Sequence, residues 1–91
     1  MLRLRGSLSP ASRLQYASVF AGGLQREDAW QRAAEFLFER LAVTWTIAGL
    51  ELGRQKELLA RYRIASSDER RFVRDCLREH LAEHFPELQA P

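Results

Sequence analysis

Val43-Thr44-Trp45-Thr46-Ile47 decides how this chain is read. All five residues are strand formers, and hydrophobic and hydroxyl side chains alternate along them with a period of two. A strand, however, must hand its backbone N–H and C=O groups to a neighbour. No second strand of comparable length stands out elsewhere in the 91 residues. The pentapeptide also follows without a break on a helical pattern. Trp30, Ala33, Ala34, Leu37, Phe38, Leu41 and Trp45 recur on one face, with Gln31, Arg32, Glu35 and Glu39 opposite. The expectation is therefore one helix, capped at Asp28 and continuing to Gly49, with an all-α fold class. The predicted architecture is a small single-domain bundle of about four helices with short loops.

The remaining helices follow from start and stop signals. Ser9-Pro10 supplies an N-cap and a proline at the first helical position, and Gly22-Gly23 ends that helix. A third helix runs from about Glu51 or Gly53 to Arg63, with Leu52, Leu58, Leu59 and Tyr62 inward. Ser66-Ser67-Asp68-Glu69 is a capping box that opens a fourth helix, and Pro86 closes it just after His84.

Composition bounds the function. With 46% hydrophobic and 29% charged residues the chain is globular, and 91 residues make one thin core. The single cysteine, Cys76, excludes an internal disulfide framework. No apolar run approaches the roughly 18 residues of a membrane span. The net charge of +2 is too small to imply nucleic acid.

Charge is unevenly spread. Residues 1–26 hold four arginines, four serines and no acid, while all 12 carboxylates lie in 27–91. That divides the chain into a basic N-terminal segment (1–26) and a helical domain (27–91). Leu2, Leu4, Leu8 and Leu14 beside Arg3, Arg5 and Arg13 give the segment the basic amphipathic character of an organellar import signal, cleaved or retained. The expected location is the mitochondrion, with the bacterial cytoplasm as the alternative.

Three constellations are candidates for chemistry or binding. Cys76, His80 and His84 sit one turn apart on the apolar face of the fourth helix, a spacing that suits a metal or haem. His80-Leu81-Ala82-Glu83-His84 also fits the His-x-x-Glu-His pattern of zinc peptidases, though nothing around it builds a substrate cleft. The favoured reading is that the histidines pack or hydrogen-bond locally, so no metal and no cofactor are assigned. Arg70, Arg71, Arg74 and Arg78 form a basic face suited to carboxylates on a protein or phosphates on a nucleic acid. Trp30, Phe36, Val43 and Trp45 mark a partner surface, because Phe36 and Val43 lie off the main apolar stripe.

No phosphate loop or catalytic triad is present, so the chain is not read as an enzyme. The expected function is a non-catalytic helical interaction protein, an accessory subunit or assembly factor of a multi-subunit complex. Its partners would be other protein chains. One alternative is a bacterial or phage transcription regulator with a degenerate helix-turn-helix, since a short link joins the last two helices. Asp68 and Glu69 at the start of the would-be reading helix argue against it, so nucleic acid is not the expected partner. The other alternative is a small metal- or haem-binding bundle.

Overall fold

The 43–47 segment is a strand. In the computed structural model, which describes residues 1–21, 26–88 and 91, helix α2 (Arg26–Leu41) passes directly into β2 (Ala42–Ile47). The all-α expectation is corrected by the two partners that β2 finds. One is β1 (Leu2–Leu4), from the segment read as an import signal; the other is β3 (Leu50–Leu52), from the start of the segment read as the third helix. They make a three-stranded antiparallel sheet in the order β1-β2-β3, with β2 at its centre. Helices α1 (Pro10–Ala21), α3 (Gln55–Arg63) and α4 (Ser67–His84) complete the described elements.

A two-residue turn joins β2 to β3. Ile47 pairs with Leu50, and between them Ala48 and Gly49 both have positive φ, 49° and 82°. That is the geometry a tight hairpin demands, because mirror-image turns match the twist of the strands. Gly49 adopts it freely, whereas Ala48 carries a Cβ into the left-handed region.

On the other side, Leu2 pairs with Trp45, Arg3 with Thr44 and Leu4 with Ala42. Val43 is the extra residue of a bulge. The bulge lets Ala42 and Trp45 both turn inward although they are three positions apart, and it leaves Val43 exposed. Leu2, Trp45 and Leu52 share the face turned to the helices. Arg3, Thr44, Thr46 and Glu51 share the solvent face.

One core joins all layers. Ala33, Ala34, Leu37, Phe38 and Leu41 of α2, Trp45, Leu58 and Tyr62 of α3, and Val73, Leu77 and Leu81 of α4 are buried together with Tyr16 of α1. The helical stripe read from the sequence on α2 is thus the buried face. Tyr16 and β1 place residues 1–21 inside the same folded unit as the rest. Leu14 is exposed, and Tyr16 takes the inward position of α1.

The helix signals hold for α1 and α4 but not for the bounds of α2 or the start of α3. Pro10 opens α1; its expected stop, Gly22-Gly23, lies outside the described residues. Asp28 sits inside the first turn of α2 rather than at its cap. The capping box of α4 is complete: Ser66 Oγ accepts from the Glu69 amide at 3.1 Å, and the Ser66 amide donates to Glu69 Oε1 at 2.9 Å. These bonds, together with Arg61, hold the Glu69 carboxyl below its ordinary range.

The hairpin yields a test of the sheet. Ala48→Asn keeps the positive φ while removing most of its cost, so it should stabilise the domain by about 0.5 kcal/mol. A melting temperature that falls on this substitution would show that residues 47–50 do not form this turn.

Candidate functional site

Two helices and the tyrosine between them enclose the main cleft. Its volume is about 690 Å³. Arg70, Arg71 and Arg74 form the α4 wall. Asp28, Gln31, Arg32 and Glu35 form the α2 wall, and Tyr62 of α3 lies between them. The helical period explains the α4 wall: positions 70, 71 and 74 fall on the flank of a helix next to the stripe that buries Val73, Leu77 and Leu81.

None of the four cleft arginines has a carboxylate at ion-pairing distance among the described residues. Three nearby acids are engaged elsewhere, Glu69 with Arg61, Glu87 with Arg13 and Glu35 with Arg63, while Asp28 lines the cleft without forming an ion pair among the described residues. The Glu35 pair is made at one oxygen, which accepts from Arg63 Nε at 3.0 Å and Nη2 at 2.9 Å. Arg70 is instead held by neutral groups. Its Nη2 donates to the Arg63 carbonyl at 2.7 Å, and its guanidinium lies 5.4 Å from the Tyr62 ring centroid. This is a cation over an aromatic face, worth about 0.5–2 kcal/mol.

Tyr62 links cleft to core. It is 5% exposed, and its ring stacks on Phe38 at 4.8 Å with 23° between planes. Phe38 in turn meets Trp45 edge-on at 5.5 Å, and Arg61 covers Trp45 at 5.7 Å. Burial pushes the Tyr62 phenol above its ordinary range, so it is an O–H donor at neutral pH.

The predicted site residues divide. The structure brings Arg70, Arg71 and Arg74 together and adds Arg32, which the sequence had assigned only to a solvated helix face. Arg78 leaves the group: its Nε donates to the Pro91 oxygen at 2.6 Å. Among the aromatic candidates, Trp45 is a core residue at 3% exposure and presents no surface. Phe36 is half-buried against Tyr16, with Arg40 5.1 Å above its ring. Trp30 is half-buried and Val43 stands exposed at the bulge. A second open surface was not anticipated. Leu50 and Ile64, 65% and 78% exposed, join Ile47, Leu52 and Ala60 in an apolar groove of about 450 Å³ between β3 and α3. Its only signal in the sequence was a leucine beside a turn and an isoleucine just past a helix end.

The histidines act as a tether. His80 Nε2 lies 2.6 Å from the Arg5 carbonyl oxygen, which can only accept, so Nε2 carries the proton. The bond fastens α4 to the end of β1. His84 packs beside it, ring centroids 4.4 Å apart. Cys76 is half-buried nearby. Among the described residues no group of three or more His, Cys, Asp or Glu side chains is placed to hold a metal ion. No described helix is long and apolar enough to cross a membrane.

Comparison with protein-family models, with curated proteins and with solved structures finds no match to this chain.

The Cys76 environment gives a reactivity test. Desolvation raises its thiol pKa, and Glu79 and Asp75 add to the rise. The thiolate is the nucleophile, so native protein at pH 8 should react with iodoacetamide more slowly than the urea-unfolded chain, and its rate profile should be displaced to higher pH. Equal rates in the two states, followed by mass spectrometry, would show that Cys76 is not in this environment.

Proposed function

We propose that this protein is a non-catalytic interaction subunit, an accessory or assembly component that binds other protein chains through the α2/α4 cleft. The observation that carries the reading is the set of four arginines lining one cleft with no carboxylate at ion-pairing distance among the described residues. Guanidinium groups at a rim normally find acids within the chain or lie apart in water. Grouped and unpaired, they are suited to bidentate carboxylates brought by another chain. The exposed groove at Leu50 and Ile64 supports the same reading, since large apolar side chains left open on a domain with a closed core fit a second contact area.

Nucleic acid fits the cleft less well. Asp28 and Glu35 stand on its α2 wall, and the α4 N-terminus is occupied by its own Ser66–Glu69 capping box with Asp68 beside it. Phosphates would meet negative charge on both sides of the arginines.

The test is co-purification. Tagged protein from its native host should hold a protein partner in fixed ratio, and Arg70→Glu with Arg74→Glu should release that partner while leaving the circular dichroism spectrum unchanged. Sequence-selective nanomolar DNA binding at physiological salt, lost in the same variant, would replace this reading with that of a regulator.

We also propose an organellar, mitochondrial location in which residues 1–26 stay on the mature protein. The segment is acid-free, yet it supplies β1 and Tyr16 to the fold, so its removal would open the sheet and the core. An intact reporter fusion should reach the organelle without losing mass. A cytosolic distribution in the native host would refute the location, and a processed form beginning after residue 21 would refute retention.

A further inference from the structure

We infer that the partner docks an acidic segment of mixed charge, not a polyphosphate, in the α2/α4 cleft, with one of its carboxylates accepting from the Tyr62 hydroxyl and the Arg70 guanidinium. The inference rests on the protein-binding reading above and names what that cleft recognises.

The first support is an unused donor. Tyr62 is 5% exposed and lines the cleft, yet its hydroxyl makes no hydrogen bond among the described residues. No side-chain polar atom sealed from solvent lacks a partner among the described residues. The Tyr62 hydroxyl is therefore not sealed; the one direction open to it is the cleft. A phenol so nearly buried, with its ring fixed by Phe38 and Arg70, presents its O–H at a defined point. Fixed donors cost little to organise on binding.

The second support is polarity across the cleft. The α4 wall offers Arg70, Arg71 and Arg74. The α2 wall carries Asp28 and Glu35 around Arg32, with Glu35 already neutralised by Arg63. Three of the four unpaired guanidinium groups thus face from α4, while the fourth, Arg32, shares the α2 wall with the Asp28 carboxylate, which has no ion-pair partner among the described residues. A polyphosphate, negative all round, is attracted by one wall and repelled by Asp28. A peptide with carboxylates along one edge and a lysine or an amide along the other satisfies both. Arg70 and Arg74 are one helical turn apart, about 6 Å along the axis. Glutamates at i and i+4 of a docked helix have the same spacing.

The experiment uses the whole chain and a synthetic helical peptide carrying Glu at i, i+4 and i+8 on one edge and Lys on the opposite edge. Controls are the same peptide with every Glu changed to Gln, tripolyphosphate, and a 20-base-pair duplex. Binding is read by calorimetry at 50 mM salt, and the site by amide chemical shifts. The acidic peptide should bind tighter than all three controls and shift residues of α2 and α4.

Tyr62→Phe, which keeps the ring and the stack, should weaken the peptide about tenfold, the usual loss for a hydrogen bond to a charged group. Arg71→Gln with Arg74→Gln should weaken it further, and these side chains are exposed or half-exposed, so the fold should survive. Leu50→Ser should leave the affinity unchanged. Tighter binding of tripolyphosphate or duplex overturns the proposal, as does a Tyr62→Phe affinity equal to wild type. If the native partner co-purifies with the Arg71/Arg74 variant but is lost from Leu50→Ser, this inference and the assignment of the partner to the α2/α4 cleft both fail, while the general reading of a protein-binding subunit stands. If no protein partner co-purifies at all, that broader reading fails with it.

Discussion

Everything in this fold depends on the pairing needs of one six-residue strand. β2 leaves α2 with no intervening loop, so its backbone enters the molecule's centre already committed to a position. A buried strand with open edges would leave a row of unsatisfied N–H and C=O groups, each costing about as much as a lost hydrogen bond. The chain meets that demand from both sides. The N-terminus returns beneath β2, with the Arg5 amide donating to the Leu41 carbonyl and the Thr46 amide to the Met1 carbonyl, both at 2.8 Å. The Ala48-Gly49 turn folds β3 against the other edge. Once β1 is in place, its last carbonyl is taken by His80, and α4 is fixed against the sheet. The basic helix, already packed into the core through Val73, Leu77 and Leu81, is thus also tied, through one imidazole, to a segment more than seventy residues away in the sequence.

A second chain of contacts runs from that sheet to the cleft. Arg61, Trp45, Phe38, Tyr62 and Arg70 form a column of rings capped by a guanidinium at each end. The two arginines differ in their remaining partners. Arg61 is neutralised by Glu69 within the α4 capping box, so that end is structurally closed. Arg70 has a carbonyl and a ring but no acid, so its charge remains available. The same column therefore stabilises the core at one end and presents a cation at the other. Truncating Tyr62 would disturb both, which is why removing its hydroxyl alone is the informative change.

The helices were legible because their signals are local. The α2 stripe, the Ser9-Pro10 start, the Ser66–Glu69 box and the Pro86 stop each act within a turn or two of the residues they govern. The sheet was not, for the opposite reason. Leu2-Arg3-Leu4 and Leu50-Glu51-Leu52 do alternate, but three residues of alternation are as compatible with a basic amphipathic segment or a helix start as with a strand. Nor did the turn between β2 and β3 announce itself, because its first position is Ala48 where Asn, Asp or Gly would have signalled it. The site followed the same division. Arg70, Arg71 and Arg74 were visible as a face of one helix. That Arg32 stands opposite, that Tyr62 lies between, and that Arg78 is drawn off to Pro91 are facts of tertiary packing with no local trace.

The distribution of acids connects these observations. Of the carboxylates on α3, α4 and the segment after it, Glu69 closes the capping box and Glu87 fastens α1, while Glu79 and Asp75 lie on the Cys76 side of α4. Glu35 of α2 is drawn across to α3 by Arg63. Each is spent on joining one element to another or lies away from the arginine wall. Placing one more acid on α2, at Gln31, would have lowered the cleft's positive charge at no cost to the buried stripe, since Gln31 is exposed and lines the cleft. The chain leaves that position uncharged. Because surface ion pairs of this kind add only about 0–1 kcal/mol to stability, the fold does not require the cleft to be closed. Its positive charge is therefore a property that packing neither creates by necessity nor cancels, and the proposed recognition of an acidic partner is a role that would use it.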